Sequence, residues 1–249
     1  MTKAERQLRV GTSGWHFDDW VGNFYPDKTP SHQMLKTYAR SFNSVEINKT
    51  FYSLPDSKTV REWVTETPGD FLFAVKASRY LTHMKKLKDP GQPLDRLVRT
   101  LEPLGDKLGP VLFQLPPRWR VNTERLESFL AQTPGGLKCA FEFRDPSWFC
   151  DPVYESLEKH GASLCFYDLQ QYRSPQVVTA DFVYIRMHGP AKTPYEGAYD
   201  GRTLAGLARK CRRWRETGKS VYCFFDNDRK ACAPGDANRL LASYQKQAS

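Results

Sequence analysis

Eight side chains of this sequence could do chemistry together, and each stands at or just past the end of a short apolar run. They are Glu46 in Ser-Val-Glu-Ile-Asn, Lys76 in Phe-Ala-Val-Lys, Gln114 in Val-Leu-Phe-Gln, Glu142 and Arg144 in Ala-Phe-Glu-Phe-Arg, Arg186 and His188 in Tyr-Ile-Arg-Met-His, and Asp226 in Cys-Phe-Phe-Asp. Lys76, Arg144 and Arg186 would attract a phosphate or carboxylate, arginine with a planar fork and lysine with a point charge. Glu46 and Glu142 are acid/base candidates, because a carboxylate kept away from cations is pushed up in pKa while its partner stays ionised. Arg144, two residues beyond Glu142, favours the charged form of that group and so a base or ligand-holding role. His188 could serve as acid or base, or simply hydrogen-bond the Gly189-Pro190 loop. The rival to all of this is a salt-bridged plug, although buried ion pairs stabilise poorly once desolvation is counted.

Metal chemistry has few donors to draw on. There are five histidines; His32 and His160 fall on presumptive helices, leaving His16, His83 and His188 near strand ends. Neither H-E-x-x-H nor a cysteine metal pattern is present. One divalent metal held by His188, Asp226 and a glutamate is the arrangement that remains. With no G-x-G-x-x-G and no P-loop, no nucleotide cofactor is expected.

The elements that must position these groups follow from periodicity. In a strand, alternate side chains share a face, so Val45 and Ile47 oppose Glu46 and Asn48, while Phe141 and Phe143 oppose Glu142 and Arg144. Apolar runs predict strands over residues 8–13, 44–48, 71–78, 111–115, 140–144, 163–167, 182–188 and 221–226. Helices are predicted near 31–41, 57–66, 93–104, 123–131, 151–160, 203–217 and 235–246, with Gly109-Pro110 breaking the chain before the fourth strand. Only about a dozen residues, Pro175 among them, separate strands six and seven, too few for a full helix. This alternation predicts an α/β fold, a single (β/α)8 TIM-like barrel domain over residues 1–249, in preference to an open doubly wound sheet. Inward residues at the C-terminal strand ends of such a barrel converge on one mouth.

Aromatic loops add a binding surface. Trp15, Trp20, Trp119 and Trp148 follow predicted strands, beside His16, Arg118, Arg120 and Arg144. Rings interleaved with cations suit stacking on bases or sugars with phosphate contact, or else cap the barrel. The run Arg209–Arg215 reads differently: Leu204, Leu207, Cys211 and Trp214 take the buried helical face and leave the basic residues solvated.

Composition sets the outer bounds. A chain of 249 residues with 40% hydrophobic and 26% charged residues and a formal charge of +9 suits a soluble globular protein with an anionic partner, a phosphorylated small molecule or nucleic acid. The six cysteines lack C-x-x-C spacing and read as buried thiols. The charged start Met-Thr-Lys-Ala-Glu-Arg has no secretory h-region, so a cytoplasmic protein without membrane association is expected.

The ordered motifs Gly11-Thr-Ser-Gly-Trp15, Phe42-Asn-Ser-Val-Glu-Ile-Asn48 with Thr50-Phe-Tyr52, Phe73-Ala-Val-Lys76, Phe113-Gln-Leu-Pro-Pro117, Phe141-Glu-Phe-Arg144, Arg186-Met-His-Gly189 and Phe225-Asp-Asn227 resemble the YecE-like family, domain of unknown function 72. The likeness spans nearly the whole chain. It implies a TIM barrel and no established activity. Fold-level similarity of that family to barrels that cut DNA at abasic sites suggests phosphodiester hydrolysis by analogy, but those enzymes gather several zinc ions on many histidines, which this chain lacks. The expectation is therefore a phosphorylated or nucleic-acid ligand that is bound, with any hydrolysis using one metal or none. Glu46, Lys76, Glu142, His188 and Asp226 are the catalytic candidates; Trp15, Tyr52, Gln114, Arg144, Trp148, Arg186 and Asn227 are the binding candidates. An isomerase or lyase of a small sugar or sugar phosphate, with Lys76 as base or Schiff-base former, and a non-catalytic nucleic-acid-binding module remain as alternatives.

Overall fold

The structure, a computed structural model, describes residues 8–246; the charged N-terminal hexapeptide read above lies outside the described residues. The apolar runs form β1 (Leu8–Thr12), β2 (Ser44–Ile47), β3 (Leu72–Lys76), β4 (Leu108–Gln114), β5 (Cys139–Glu142), β6 (Ser163–Leu169), β8 (Phe182–Met187) and β9 (Ser220–Phe225). A two-residue β7 (Tyr172–Arg173) folds back on β6. The helices are α1 (Met34–Tyr38), α2 (Ser57–Glu66), α3 (Gly91–Leu101), α4 (Thr123–Leu130), α5 (Asp151–Lys159), α6 (Gly201–Glu216) and α7 (Cys232–Lys246). The strands run in the order β1-β9-β8-β6-β5-β4-β3-β2, and a parallel bridge from Ser13 to Glu46 brings β1 beside β2. Eight parallel strands thus make a nearly closed, TIM-barrel-like α/β fold. Strands β2, β5, β8 and β9 are buried along their whole length, as parallel strands covered on both faces must be.

Two compact units can be distinguished. The first takes in the chain up to Glu46, Phe166–Ser174 and everything from Phe182 onward; the second comprises Ile47–Cys165 and Pro175–Asp181. In the first, α6 buries Leu204, Leu207, Ala208 and Cys211 and sets Trp214 against Phe166, with ring centroids 5.6 Å apart. Arg209, Lys210 and Arg213 face solvent as predicted, but Arg212 and Arg215 are half-buried, with Arg212 over the Tyr244 ring. In the second, Phe113, Phe129, Phe141, Phe143 and Trp148 form a chain of ring contacts.

Three predicted boundaries are corrected. Gly109-Pro110 does not end an element but lies within β4, where the register against β3 shifts between Phe73 and Val75. A Cβ on Gly109 would meet the Phe73 carbonyl oxygen at 3.1 Å, so glycine lets the strands approach at an irregularity that also accommodates proline. The helix expected over 31–41 is a 3₁₀ turn at Ser31–Gln33 followed by the five-residue α1. Strand β6 runs on through Leu169 into the β7 hairpin, whose turn residues Gln170 and Gln171 both have positive φ, the geometry of a two-residue turn with matching twist. The rest of the link to β8 contains no helix, as its length required. No helix among the described residues is long and apolar enough to cross a membrane.

Candidate functional site

Within the first unit, four predicted residues meet in one network. Glu46 on β2 is wholly buried and accepts from Ser13 Oγ at 2.7 Å, Tyr184 Oη at 2.7 Å, Arg186 Nε at 3.0 Å and Arg186 Nη2 at 2.7 Å. The same Nη2 donates to Asp226 Oδ2 at 3.0 Å. His188, also fully buried, places Nδ1 2.8 Å from Asp226 Oδ2 and Nε2 3.3 Å from Arg186 Nη1. Arginine can only donate, so Nε2 accepts and Nδ1 carries the hydrogen given to Asp226. Period-two alternation explains the assembly: Tyr184 and Arg186 share a face of β8, His188 continues that face, and Asp226 follows β9 at the matching level, where Met187 pairs with Phe225.

This geometry redistributes the predicted roles. Arg186 already bridges two carboxylates, so it organises the network instead of holding an external anion. Glu46, with four donors upon it, anchors Arg186. The metal arrangement of His188, Asp226 and a glutamate does not assemble either: the guanidinium occupies the cation position between Glu46 and Asp226, and no metal-holding group of His, Cys, Asp or Glu occurs among the described residues. Asp226 keeps 12% side-chain exposure, against 1% or less for Glu46, Arg186 and His188. It is the network's outlet.

Asn227 belongs to a different structure. Its Nδ2 donates to the Gly197 carbonyl at 2.7 Å and to Asp236 Oδ2 at 2.8 Å, tying the strand end to α7 and the Gly189–Gly197 loop. Asp228, third in the same run, was not singled out by sequence. Burial, then Asp226 and Asp19, push its carboxyl up to about 6, near the range useful to a general base. The Asp-Asn-Asp run was the available signal, since like charges held together raise one another's pKa.

Within the second unit, Glu142 is completely buried and ion-paired to Arg144 through Nε and Nη2, with Cys165 Sγ 4.0 Å from the other carboxylate oxygen. Lys76 ends β3 with Nζ 4.5 Å from the centre of the Phe51 ring. His83, on the π-helical turn Tyr80–Met84, has its pKa lowered to about 4 by burial and then by the positive charges of Lys76, Arg79 and Arg144. Sequence reading passed over this histidine as a site residue, although the lysine-rich loop around it was visible. Gln114 spends its amide on the neighbouring Leu115 carbonyl, at 3.4 Å.

The aromatic prediction is changed most. Trp148 is fully buried, stacked on Phe143 at 4.7 Å with a 5° tilt, and donates to the Trp119 carbonyl. Trp20 is equally buried and donates to the Asp228 carbonyl at 2.8 Å. Both are packing residues with no ring face left for a ligand; large apolar rings win burial whenever a neighbouring carbonyl can take their N–H. Trp15 is half-buried. Tyrosines supply the open rings instead. Tyr52, Tyr80, Met84, Val121, Tyr172 and Tyr195 are the exposed large apolar side chains among the described residues, and every one lies in a segment that follows a parallel strand.

Residues 9–249 match the model of a family described as "Protein of unknown function DUF72". The chain is 34% identical over 266 residues to UPF0759 protein YunF of Bacillus subtilis, covering 94% of this chain and 93% of that protein. It superposes on a DUF72 family protein from Thermotoga maritima with a TM-score of 0.85 at 30% identity, over 97% of this chain and 99% of the other. A DUF72 structure from Enterococcus faecalis, with a TM-score of 0.82 and 18% identity over 96% of each chain, shares the fold. The chain belongs to the DUF72 family.

Proposed function

We propose that this protein binds a phosphorylated ligand carrying a ring, a nucleotide or a sugar phosphate, on the loops that follow its strands. The observation that carries the reading is the distribution of exposed apolar groups just described: all of them follow strand C-termini, the functional end of this fold, and Tyr52 and Tyr80 line one hollow together, as exposed apolar groups at a binding surface do. Cations accompany them. Lys76, Arg79, Lys85 and Lys86 stand in the same segment as Tyr80 and Met84, a combination suited to stacking plus phosphate contact.

His83 reports on the anion half of this reading. Its folded pKa of about 4 lies below the ordinary 6.5, so the unfolded chain takes up a proton between those values while the folded chain does not, and stability falls as pH drops through that window. A bound anion offsets the surrounding cations and favours the imidazolium. Inorganic phosphate is therefore expected to raise the His83 titration midpoint by about one unit or more, followed by NMR of the imidazole Cε1–H, and to bind more tightly as pH falls from 6.5 toward 4. Lys76→Met should abolish the shift. An unmoved midpoint at saturating phosphate, or no measurable affinity for any phosphorylated compound, would reject the reading.

A further inference from the structure

The second unit carries a groove in which Tyr52 and Tyr80 meet a face of α3 that plays no part in the sites above. Two adjoining hollows of about 500 Å³ each share Gln92 and Arg96. One is walled by Tyr52 and Tyr80, the other by Asp95 and Arg99. On α3, Gln92, Arg96 and Arg99 fall at i, i+4 and i+7, a single stripe, while Leu94, Leu97 and Leu101 take the buried face. The stripe is exposed at each position. In contrast to Arg144, Arg186 and Arg239, which are paired with carboxylates, Arg96 and Arg99 make no side-chain hydrogen bond or ion pair among the described contacts, and neither do Gln92 and Asp95. Tyr52, 81% exposed, holds its ring edge-on to Phe51 with centroids 5.0 Å apart, which fixes the ring and leaves faces open.

We propose that this groove is a ribonucleotide subsite. The proposal rests on the reading of the protein as a binder of phosphorylated, ring-bearing ligands and names where one such ligand sits. The tyrosines stack on the base, which needs no particular sequence because every base has a π-face. Gln92 meets base or sugar edges with a donor and an acceptor, Asp95 accepts from ribose hydroxyls, and Arg96 with Arg99 takes the phosphate by paired N–H donors. A bare phosphate would leave the tyrosines unused and an uncharged aromatic would leave the two arginines unused, so the wall composition favours a ligand bearing both parts. Free mononucleotide and a single-stranded RNA share this chemistry.

The test titrates the full chain with adenosine 5′-monophosphate, with adenosine, and with a 5′-phosphorylated RNA of about ten nucleotides, beside Tyr52→Ala and the double variant Arg96→Met/Arg99→Met. All three positions are exposed, so folding is retained. Tyr52→Ala is expected to weaken the monophosphate and the RNA about tenfold or more. The arginine variant should weaken the monophosphate toward the affinity of adenosine, and lower the slope of log affinity against log salt for the RNA by about 0.7 per arginine. Tight RNA binding with negligible monophosphate binding would assign the subsite to a strand, and the reverse to a free nucleotide. If both variants bind these ligands like the wild type while Lys76→Met does not, the groove assignment is overturned and the broader reading stands; if the wild type binds none of them, both fall.

Discussion

Replacing Arg186 by methionine is expected to destabilise the protein by about 3–5 kcal/mol, because it leaves Glu46 and Asp226 buried without their shared counter-ion. For a chain of this length that corresponds to a fall of about 6–20 °C in melting temperature. The size follows from the geometry. The guanidinium supplies both Nε and Nη2 to Glu46 and Nη2 again to Asp226, and Glu46 is wholly excluded from water, so no solvent can replace what is lost. Adding Glu46→Gln to the methionine variant should recover part of the loss, since an amide costs less to bury than an unpaired carboxylate. Urea unfolding of Arg186→Met, Glu46→Gln and the double variant measures the coupling. A loss below about 1 kcal/mol for Arg186→Met would mean that the network is hydrated and that its members do not depend on one another.

Gly11→Ala is expected to be comparably severe, by about 3 kcal/mol or more, for a steric reason instead of an electrostatic one. A Cβ at residue 11 would lie 2.0 Å from the Ser44 carbonyl oxygen and 2.7 Å from Tyr38 Oη. Neither can move cheaply. Tyr38 Oη accepts from Thr12 N at 2.8 Å and donates to that same Ser44 carbonyl at 3.1 Å, a clasp that holds β1 against β2 beside the Ser13–Glu46 bridge. The contrasting substitution is Gly206→Ala inside α6, where an added Cβ meets only the far end of Arg209 at 3.8 Å. That change should be neutral or stabilise by up to about 1 kcal/mol through helix propensity. Thermal melts of both variants decide the matter: equal effects would show that the close approach of β1 to β2 is not a constraint on the fold.

The amino-acid sequence located the eight parallel strands, their order of appearance and the polar or charged residue at the end of most of them. Hydrophobic alternation is a local property, written in neighbouring residues, and the side chains of a strand cannot choose their faces independently. That is why Glu46, Arg186, His188 and Asp226 could be named together before their contacts were seen. The turn at Gln170–Gln171 was not legible, because both residues adopt positive φ without the Asn-Gly or Gly signal that normally announces it; strand pairing imposes the conformation.

Which charges are spent on each other is a matter of the fold. Arg186 looked like an anion holder, and the fold gives it to Glu46 and Asp226; Trp148 looked like a stacking platform, and the fold lays it on Phe143. Spacing along the chain says which way a side chain points, whereas the partner that satisfies it can come from a strand remote in sequence, as Glu46 and Arg186 illustrate at a separation of 140. For the same reason the open tyrosines and the unpaired arginine stripe of α3 could be recognised only once the other aromatic rings and cations had found their partners.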